Sequence, residues 1–179
     1  MKPEETLEVL RAQYHDFLNH LQVISGLLEL GRHEKVKEYL SRVAEEFAAR
    51  GRVAKAGLPE VAWMLLRFQA ESLAAGVKVS CDLQRAAGEG QLPSRNLAEH
   101  LKRLHTAIIA RAVGSGEERS LTVTGRSVPG GYLLTYAGAF PWEEIVGGEE
   151  ASFTAAGIGL RVCGQERIEL YWRDAAGEA

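Results

Sequence analysis

Large apolar residues recur along the first fifty positions at alternating spacings of three and four. Because an α-helix turns by about 100° per residue, this spacing places them on one face of a helix. Pro3 and the acidic pair after it suit a first helical turn, and Gly31 suits a helix end. We therefore expect a helix from about residue 4 to 30, roughly 40 Å long. Its apolar seam consists of Leu7, Leu10, Tyr14, Phe17, Leu21, Ile24 and Leu28.

A second amphipathic helix follows after the short connection Gly31-Arg32-His33. So short a connection folds the two helices back on each other as an antiparallel hairpin. A hairpin with an apolar seam on both arms cannot cover its own apolar faces, and pairing two copies into a four-helix bundle covers them. The sequence therefore predicts a homodimer. The seam of the second arm consists of Val36, Leu40, Val43 and Phe47.

The pattern changes beyond residues 51–57, a glycine-flanked segment poor in large apolar residues that we interpret as a linker. We expect an α+β fold, with a helical hairpin at 1–50 that mediates dimerisation. The second half, 58–179, is predicted as helices on a mostly antiparallel sheet. Its predicted elements are a helix at about 59–75, a strand at 77–83, a helix at 94–113 with Ser94 as N-cap, and strands at 120–126, 132–136, 159–163 and 168–172.

Composition narrows the class of partner. The 21 basic and 24 acidic side chains leave a formal charge of −3, which gives no electrostatic reason to expect binding to nucleic acid or anionic lipid. No apolar run approaches the roughly 20 residues of a membrane span, and the acidic, amphipathic N-terminus is unlike a secretory signal. Cys81 and Cys163 are interpreted as buried thiols. We expect a cytoplasmic protein whose partners are proteins or small molecules.

His15 is the candidate catalytic residue. It follows the seam residue Tyr14, so it lies off the apolar face and faces solvent. An exposed imidazole is substantially neutral at cytoplasmic pH and can act as a nucleophile, with Asp16 able to accept a hydrogen bond from the other ring nitrogen. Spacing alone also fits a surface histidine without a role. The polar strip around His15 consists of Arg11, Asp16, Leu18, Asn19 and Gln22.

The remaining histidines show no metal-ligand spacing with cysteine or acidic neighbours, so we expect them to be solvated or to cap helices. No metal site and no cofactor site in this chain are predicted from them. These histidines are His20, His33, His100 and His105.

Residues 14–40, YHDFLNHLQVISGLLELGRHEKVKEYL, resemble the phosphoacceptor hairpin of the sporulation initiation phosphotransferase B family and of citrate- and malate-type sensor kinases. The shared pattern is a histidine, an acidic residue, two hydrophobic residues and an asparagine, then Leu-Gln and a glycine- and leucine-rich helix end. The resemblance implies that His15 is phosphorylated and that the hairpin forms a dimeric four-helix bundle. It also implies that response regulators dock on the strip around His15.

The second half bears on whether the chain makes phosphohistidine from ATP. In the related kinases an asparagine on the long helix holds the nucleotide's metal, whereas this helix has His105 and Thr106 at the matching place. In those kinases, the aspartate of an Asp-x-Gly-x-Gly loop accepts a hydrogen bond from the adenine amino group. Here the matching stretch is Tyr136-Ala137-Gly138-Ala139-Phe140, and its Gly-Ala-Phe resembles the sequence that the phosphotransferase family has after the same strand. Gly157-Ile158-Gly159-Leu160 is followed by too few residues for the helix of a phosphate loop. The resemblance implies a degenerate histidine-kinase-ATPase-like α/β sandwich without a nucleotide site.

Three functions stay open. The first is a phosphorelay in which His15 takes a phosphoryl group from the aspartate of one response regulator and gives it to another. The family implies a single-domain sporulation response regulator as donor and the sporulation master transcription factor as acceptor, with Mg²⁺ bound by the receiver domains. The second is a small cytosolic histidine kinase that uses ATP. The third is a dimeric docking module that binds a regulator without chemistry at His15.

Overall fold

The computed structural model describes residues 3–86, 97–113 and 119–173. Contacts within the chain divide it into two compact units, Met1–Gly51 and Arg52–Ala179. The α+β class predicted from the sequence is confirmed. The elements among the described residues are α1 (Pro3–Glu29), α2 (His33–Ala54), α3 (Pro59–Ala74), β1 (Val77–Leu83), α4 (Leu97–Ala112), β2 (Arg119–Val128), β3 (Gly131–Ala137), α5 (Trp142–Val146), α6 (Glu150–Ala155), β4 (Ile158–Cys163) and β5 (Arg167–Arg173).

The turn between α1 and α2 is closed by a Schellman motif. The Arg32 N–H donates to the Leu27 carbonyl and the Gly31 N–H donates to the Leu28 carbonyl, both at 2.9 Å. This geometry needs a left-handed residue after the helix, and Gly31 supplies it with φ of 66°. The chain therefore reverses within a few residues, and α2 returns along α1. None of the described helices combines the length and the apolar character that a membrane span requires.

The apolar seam of this hairpin is only partly covered within one chain. Phe17 and Phe47 meet edge to face, with ring centroids 6.4 Å apart, yet Tyr14 stays 67% exposed. Contiguous apolar surface of this kind on a helical pair marks a place for a further apolar surface. The seam residues that remain exposed are Leu7, Leu10, Tyr14, Phe17, Leu21, Leu28, Leu40 and Phe47.

Residues 51–57, interpreted from the sequence as a linker, are not an extended connection. Helix α2 continues to Ala54, and the side chains of Val53 and Ala56 are buried in the core of the second unit. The sequence interpretation counted only large apolar residues, and two small ones supply the burial here. The chain turns into α3 at Gly57, which has φ of 78°, and Pro59 opens that helix, where its missing N–H costs no hydrogen bond.

The second unit is built on one sheet of five strands among the described residues, in the order β1-β2-β3-β5-β4. β1 pairs parallel with β2, and the other neighbouring pairs are antiparallel. Side chains alternate across the strands, so that one face is buried under helices and the other carries polar groups. The core consists of residues such as Phe68, Leu101, Leu104, Ile108, Leu121, Val123, Leu134, Ile168, Leu170 and Trp172.

Two short helices, α5 and α6, were not predicted from the sequence. They have five and six residues, too few to show helical periodicity. The predicted N-cap Ser94 lies outside the described residues, and α4 is described from Leu97.

His100 and His105 lie in the interior, so the prediction of solvated or capping roles is wrong for both. Nδ1 of His100 is 3.3 Å from the Ser152 hydroxyl. His105 stacks on Phe68 with ring centroids 4.0 Å apart, and its Nε2 is 2.8 Å from the Tyr136 hydroxyl. A polar side chain is tolerated in a core when it is hydrogen-bonded in this way.

We expect the buried His105 to make stability depend on pH. Burial lowers the pKa of His105 to about 3, while an unfolded histidine titrates near 6.5. Between these two values the unfolded chain binds a proton that the folded chain does not. The free energy of unfolding should therefore fall as pH drops below 6.5, by about 2 kcal/mol between pH 7.5 and 5 from this group alone.

Denaturant titrations of the wild type and His105→Phe at these two pH values measure this effect. The variant should lose that share of the pH dependence, on top of a pH-independent cost from the Tyr136 hydroxyl left without its partner. Tyr136→Phe is the matched control, because it removes the hydrogen bond but keeps His105 buried, and its pH dependence should match the wild type. Equal pH dependence in all three proteins would contradict the prediction.

Candidate functional site

His15 lies on the exposed surface of α1, near the middle of the helix. Its ring Nδ1 is 3.2 Å from the side-chain amide nitrogen of Asn19, one helical turn further along. A spacing of four residues places two side chains above one another on the same face. The structure therefore presents an imidazole to solvent and holds it from one side through a neutral amide.

The amide of Asn19 can form a hydrogen bond with Nδ1 of His15 in either of two orientations. When its N–H donates to Nδ1, a neutral ring carries its own proton on Nε2 and has no free lone pair. When the amide rotates by half a turn, its oxygen accepts a hydrogen bond from Nδ1–H and the lone pair of Nε2 is free. The second arrangement is the nucleophilic one. Asn19 can supply either without a change in the backbone.

Asp16 does not hold the ring of His15, which corrects the role suggested by their adjacency in sequence. Its Oδ2 accepts a hydrogen bond from Nη2 of Arg50, on α2, at 2.8 Å. The same Nη2 donates to Oε1 of Glu46, also at 2.8 Å. Neighbouring residues on a helix point about 100° apart, so Asp16 turns toward α2 while His15 turns away from it.

The remaining strip residues surround His15 on the exposed side. Arg11, Leu18 and Gln22 are all exposed, and Leu18 is an apolar side chain in this otherwise polar surface. Their spacing from His15, four residues before it and three and seven after it, is that of one helix face. The structure thus keeps these three side chains on a common surface with His15 and Asn19, and removes Asp16 from it.

His20 occupies a different side of the hairpin. Its Nδ1 is 2.8 Å from the Tyr39 hydroxyl, and its ring lies 6.1 Å from that of Phe47. Its Nε2 is buried without a hydrogen-bond partner among the described residues. The geometry separates the two histidines of α1, one on the open surface and one between the helices.

His20, Asp16 and Glu46 form a group that could hold a metal ion, since one ligand atom of each lies within 4.8 Å of the others. The sequence prediction that His20 lacks an acidic neighbour at ligand spacing is wrong, because Asp16 precedes it by four residues. That spacing was visible in the sequence. Glu46 and Arg50 were not predictable in the same way, since they come from the other helix and depend on the register of the hairpin.

The positions that correspond to the nucleotide site of the related kinases have structural roles here. His105 is buried as described above, and the Thr106 hydroxyl donates to the carbonyl of Lys102 in its own helix. The Gly138 N–H donates to the Glu166 carbonyl at 2.8 Å. A Cβ at Gly138 would lie 2.7 Å from the Ser120 carbonyl, so a close backbone approach requires this glycine.

The glycines at Gly157 and Gly159 begin a strand and not a helix. Gly157 has φ of 73° at the end of α6, and β4 starts at the next residue. β4 then turns through Gly164 directly into β5, with which it pairs antiparallel. The expectation that these glycines shape a strand fits this geometry, because the residues described after Gly157 form β4 and β5 and not a helix whose N-terminus could bind phosphate.

Comparison with known proteins relates the helical hairpin to a known family. Residues 1–56 match the family model described as the sensor kinase SpoOB-type, alpha-helical domain. The resemblance predicted from residues 14–40 is confirmed for this part of the chain. No curated protein matches the sequence.

Two solved structures are similar over most of their length. The histidine kinase AdeS of Acinetobacter baumannii gives a TM-score of 0.47 at 12% identity, covering 90% of this chain and 98% of that one. A structure described as a bacterial phosphotransferase gives a TM-score of 0.37 at 14% identity, covering 96% of this chain and 97% of that one. Both similarities are too weak to extend the assignment beyond the helical domain.

Proposed function

We propose that this protein is a phosphotransferase of two-component signalling that carries a phosphoryl group on His15. The observation that supports this most directly is the position of His15, which lies exposed in the hairpin that matches the SpoOB-type helical domain. The amide of Asn19 contacts one ring nitrogen and leaves the other side of the ring open. An exposed, oriented imidazole is what a partner protein needs in order to exchange a phosphoryl group with it.

The proposed reaction moves one phosphoryl group in two reversible steps. In the first, Nε2 of His15 attacks the phosphorus of an aspartyl phosphate on a response regulator, so that an N–P bond forms and the P–O bond to the aspartate breaks. The aspartate leaves as a carboxylate, and the ring proton stays on Nδ1 against the Asn19 amide. In the second step, the aspartate of another regulator attacks the phosphohistidine, and the imidazole leaves.

This chain has to contribute little beyond the nucleophile. The transition state of phosphoryl transfer is loose, so rate acceleration comes mainly from positioning and from charge around the transferring group. A receiver domain would bring Mg²⁺ and its own cation to that group. Arg11, Leu18 and Gln22 offer the docking receiver an exposed mixture of charge, apolar surface and amide around His15.

The particular partners follow from the family resemblance alone. By that resemblance the donor is a single-domain sporulation response regulator and the acceptor is the sporulation master transcription factor. We place the relay in the cytoplasm with these partners. The chain itself would need no cofactor.

We further propose that the working form is a homodimer. The exposed apolar seam continues along both helices of the hairpin, and a second copy of the same seam is a complementary surface for it. Such pairing gives a four-helix bundle, in which both copies of His15 face outward. Each copy would offer its own docking surface.

A small ATP-using histidine kinase is the second enzyme candidate, and the buried state of His105 argues against it. A side chain that stacks on Phe68 and bonds to Tyr136 cannot reach a nucleotide-bound metal ion. A docking module without chemistry is the third candidate. It requires the same exposed surface but no nucleophile, so replacement of His15 separates it from the relay.

We expect His15 to be the residue that takes up phosphate. The full-length protein is incubated with a receiver domain labelled at its aspartate by radioactive acetyl phosphate. Acid-labile, base-stable label should appear on the wild type and on His20→Ala, and should be absent from His15→Ala. Because His15 is exposed, its replacement should change stability by no more than about 0.5 kcal/mol.

Receiver binding by His15→Ala is measured in parallel by calorimetry. Retained binding without label supports the relay. Label on His15→Ala, or loss of label only in His20→Ala, would show that another residue is the nucleophile. An unlabelled wild type that still binds the receiver would favour the docking module.

We expect charges in the seam to separate the dimer. Leu21 and Leu28 are 46% and 49% exposed in the single chain, so Leu21→Lys with Leu28→Lys should cost the monomer little and should bury two charges in a bundle. Light scattering after size exclusion should give the mass of a monomer. The matched control replaces Val23 and Leu30 by lysine, since both are exposed apolar residues with the same spacing but off the seam. A dimeric seam variant would contradict the bundle.

We expect no nucleotide binding. Calorimetry with MgATP up to about 1 mM should show no saturable heat, because the matching positions on α4 are occupied by a core histidine and a threonine bonded to its own helix. Incubation with radioactive ATP should leave His15 unlabelled. A dissociation constant near 1 μM, which corresponds to about −8 kcal/mol, would move the assignment to the kinase.

A further inference from the structure

We propose that Asp16, His20 and Glu46 form a binding site for a divalent transition cation of the Zn²⁺ type, in competition with the guanidinium of Arg50. One ligand atom of each of the three side chains lies within 4.8 Å of the other two. The site does not include His15, and it does not depend on the proposed phosphotransfer. It lies wholly within the helical hairpin.

The hairpin itself assembles the three ligands. Asp16 and His20 are four residues apart on α1, which places them on one face of the helix. Glu46 comes from α2, which passes this face in the opposite direction. Phe17 and Phe47, which follow Asp16 and Glu46 in the chain, pack edge to face. The ring of His20 also contacts that of Phe47. Aromatic packing of this kind fixes the two helices at the height of the cluster.

His20 has the arrangement of a metal-ligating histidine. Its Nδ1 lies 2.8 Å from the Tyr39 hydroxyl. When Nδ1–H donates to the Tyr39 oxygen, Nε2 is left with a lone pair. This Nε2 is buried and has no hydrogen-bond partner among the described residues. Metal-binding histidines almost always donate their other ring N–H to such an outer partner, and a bound cation would satisfy the buried Nε2.

Arg50 shows that a cation is already stabilised between the two carboxylates. Its Nη2 donates to Asp16 Oδ2 and to Glu46 Oε1, at 2.8 Å each. A single nitrogen thus bridges the same two groups that a metal ion would bridge. Because the guanidinium and a metal ion cannot share this place, binding of the ion requires the Arg50 side chain to move out. The affinity for the ion therefore includes the cost of that displacement.

The ligand set selects the class of ion. One imidazole nitrogen and two carboxylate oxygens suit Zn²⁺, which often takes three protein ligands and keeps a fourth position for water. Ca²⁺ and Mg²⁺ prefer oxygen ligands alone. Ligand atoms in a tetrahedral zinc site lie roughly 3.4 Å apart, so the carboxylates have to rotate inward. Glu46 is nearly half exposed and has room to do so.

The proposal is tested on the full-length protein by calorimetry with ZnCl₂, with Co²⁺ as a spectroscopic probe in a second series. His20→Gln and Glu46→Gln should each weaken Zn²⁺ binding at least tenfold. Glu45→Gln is the matched control for Glu46, because it removes the same charge from the adjacent residue of the same helix and should leave the affinity unchanged. Tyr39→Phe should weaken binding about tenfold through the loss of the outer hydrogen bond.

Arg50→Gln is the decisive variant. If the guanidinium competes with the ion, removing it should make Zn²⁺ bind more tightly than in the wild type, and Zn²⁺ should raise the melting temperature of this variant further. If Arg50 instead holds the hairpin together for an adventitious surface site, the affinity should fall or stay the same. Circular dichroism of each variant without metal shows whether the helices are intact.

The outcomes are distinct from those of the phosphotransfer experiment. Zn²⁺ affinity that is equal in wild type, Glu46→Gln and Glu45→Gln would overturn the proposal, and so would a Co²⁺ spectrum that is unchanged in His20→Gln. Loss of binding in His15→Ala, with binding kept in His20→Gln, would place the ion at the exposed histidine. Uptake of phosphate at His15 can succeed or fail without changing any of these results.

Discussion

The tight turn at Gly31 sets the register of the hairpin, and the contacts around the candidate site depend on that register. Two backbone hydrogen bonds close the turn and the left-handed glycine permits them. From there, residues of α1 that face α2 meet specific partners on it: Asp16 meets Arg50, and His20 meets Tyr39. A shift of α2 by one residue would rotate its side chains by about 100° and break both pairs. The contacts of Asp16 and His20 with α2 therefore depend on the turn at the end of the hairpin.

Three histidine side chains of this protein have different surroundings. His15 is exposed and in contact with a neutral amide, His20 lies between the helices beside two carboxylates, and His105 is buried against an aromatic ring and a phenol. Burial lowers the pKa of His105 to about 3, so this ring stays neutral and cannot take part in proton exchange near neutrality. Only an exposed ring can reach a partner protein.

The hairpin and most of the sheet could be predicted from the sequence because their signals are periodic. The seam from Leu7 to Leu28 repeats often enough to define a helix face, and strands such as β2 alternate in burial along their length. The exposure of His15 and the common surface with Asn19 followed from the same helical geometry. Short elements such as α5 contain too few residues for a period, and so they were missed.

What the sequence could not supply was the partner of each polar group. Asp16 stands next to His15 in the chain, and adjacency suggested a contact that helix geometry excludes. Its actual partner, Arg50, is 34 residues away, and pairings over such distances depend on the packed structure. The burial of His105 had a local signal, since Leu101 and Ile108 flank it on one face of α4, but its polarity outweighed that pattern in the interpretation.

The parallel pairing of β1 with β2 has a consequence for how the chain reaches its folded state. β1 lies at one edge of the sheet, and its only strand neighbour among the described elements comes after α4 in the chain. A parallel pair needs a crossover of this kind, whereas the antiparallel pair of β4 and β5 needs only a short turn. Closing the longer loop costs more chain entropy. By loop length, β1 is therefore the strand that we expect to join the sheet last. Until β2 pairs with it, the unpaired backbone N–H and C=O groups of β1 are open to pairing with another chain.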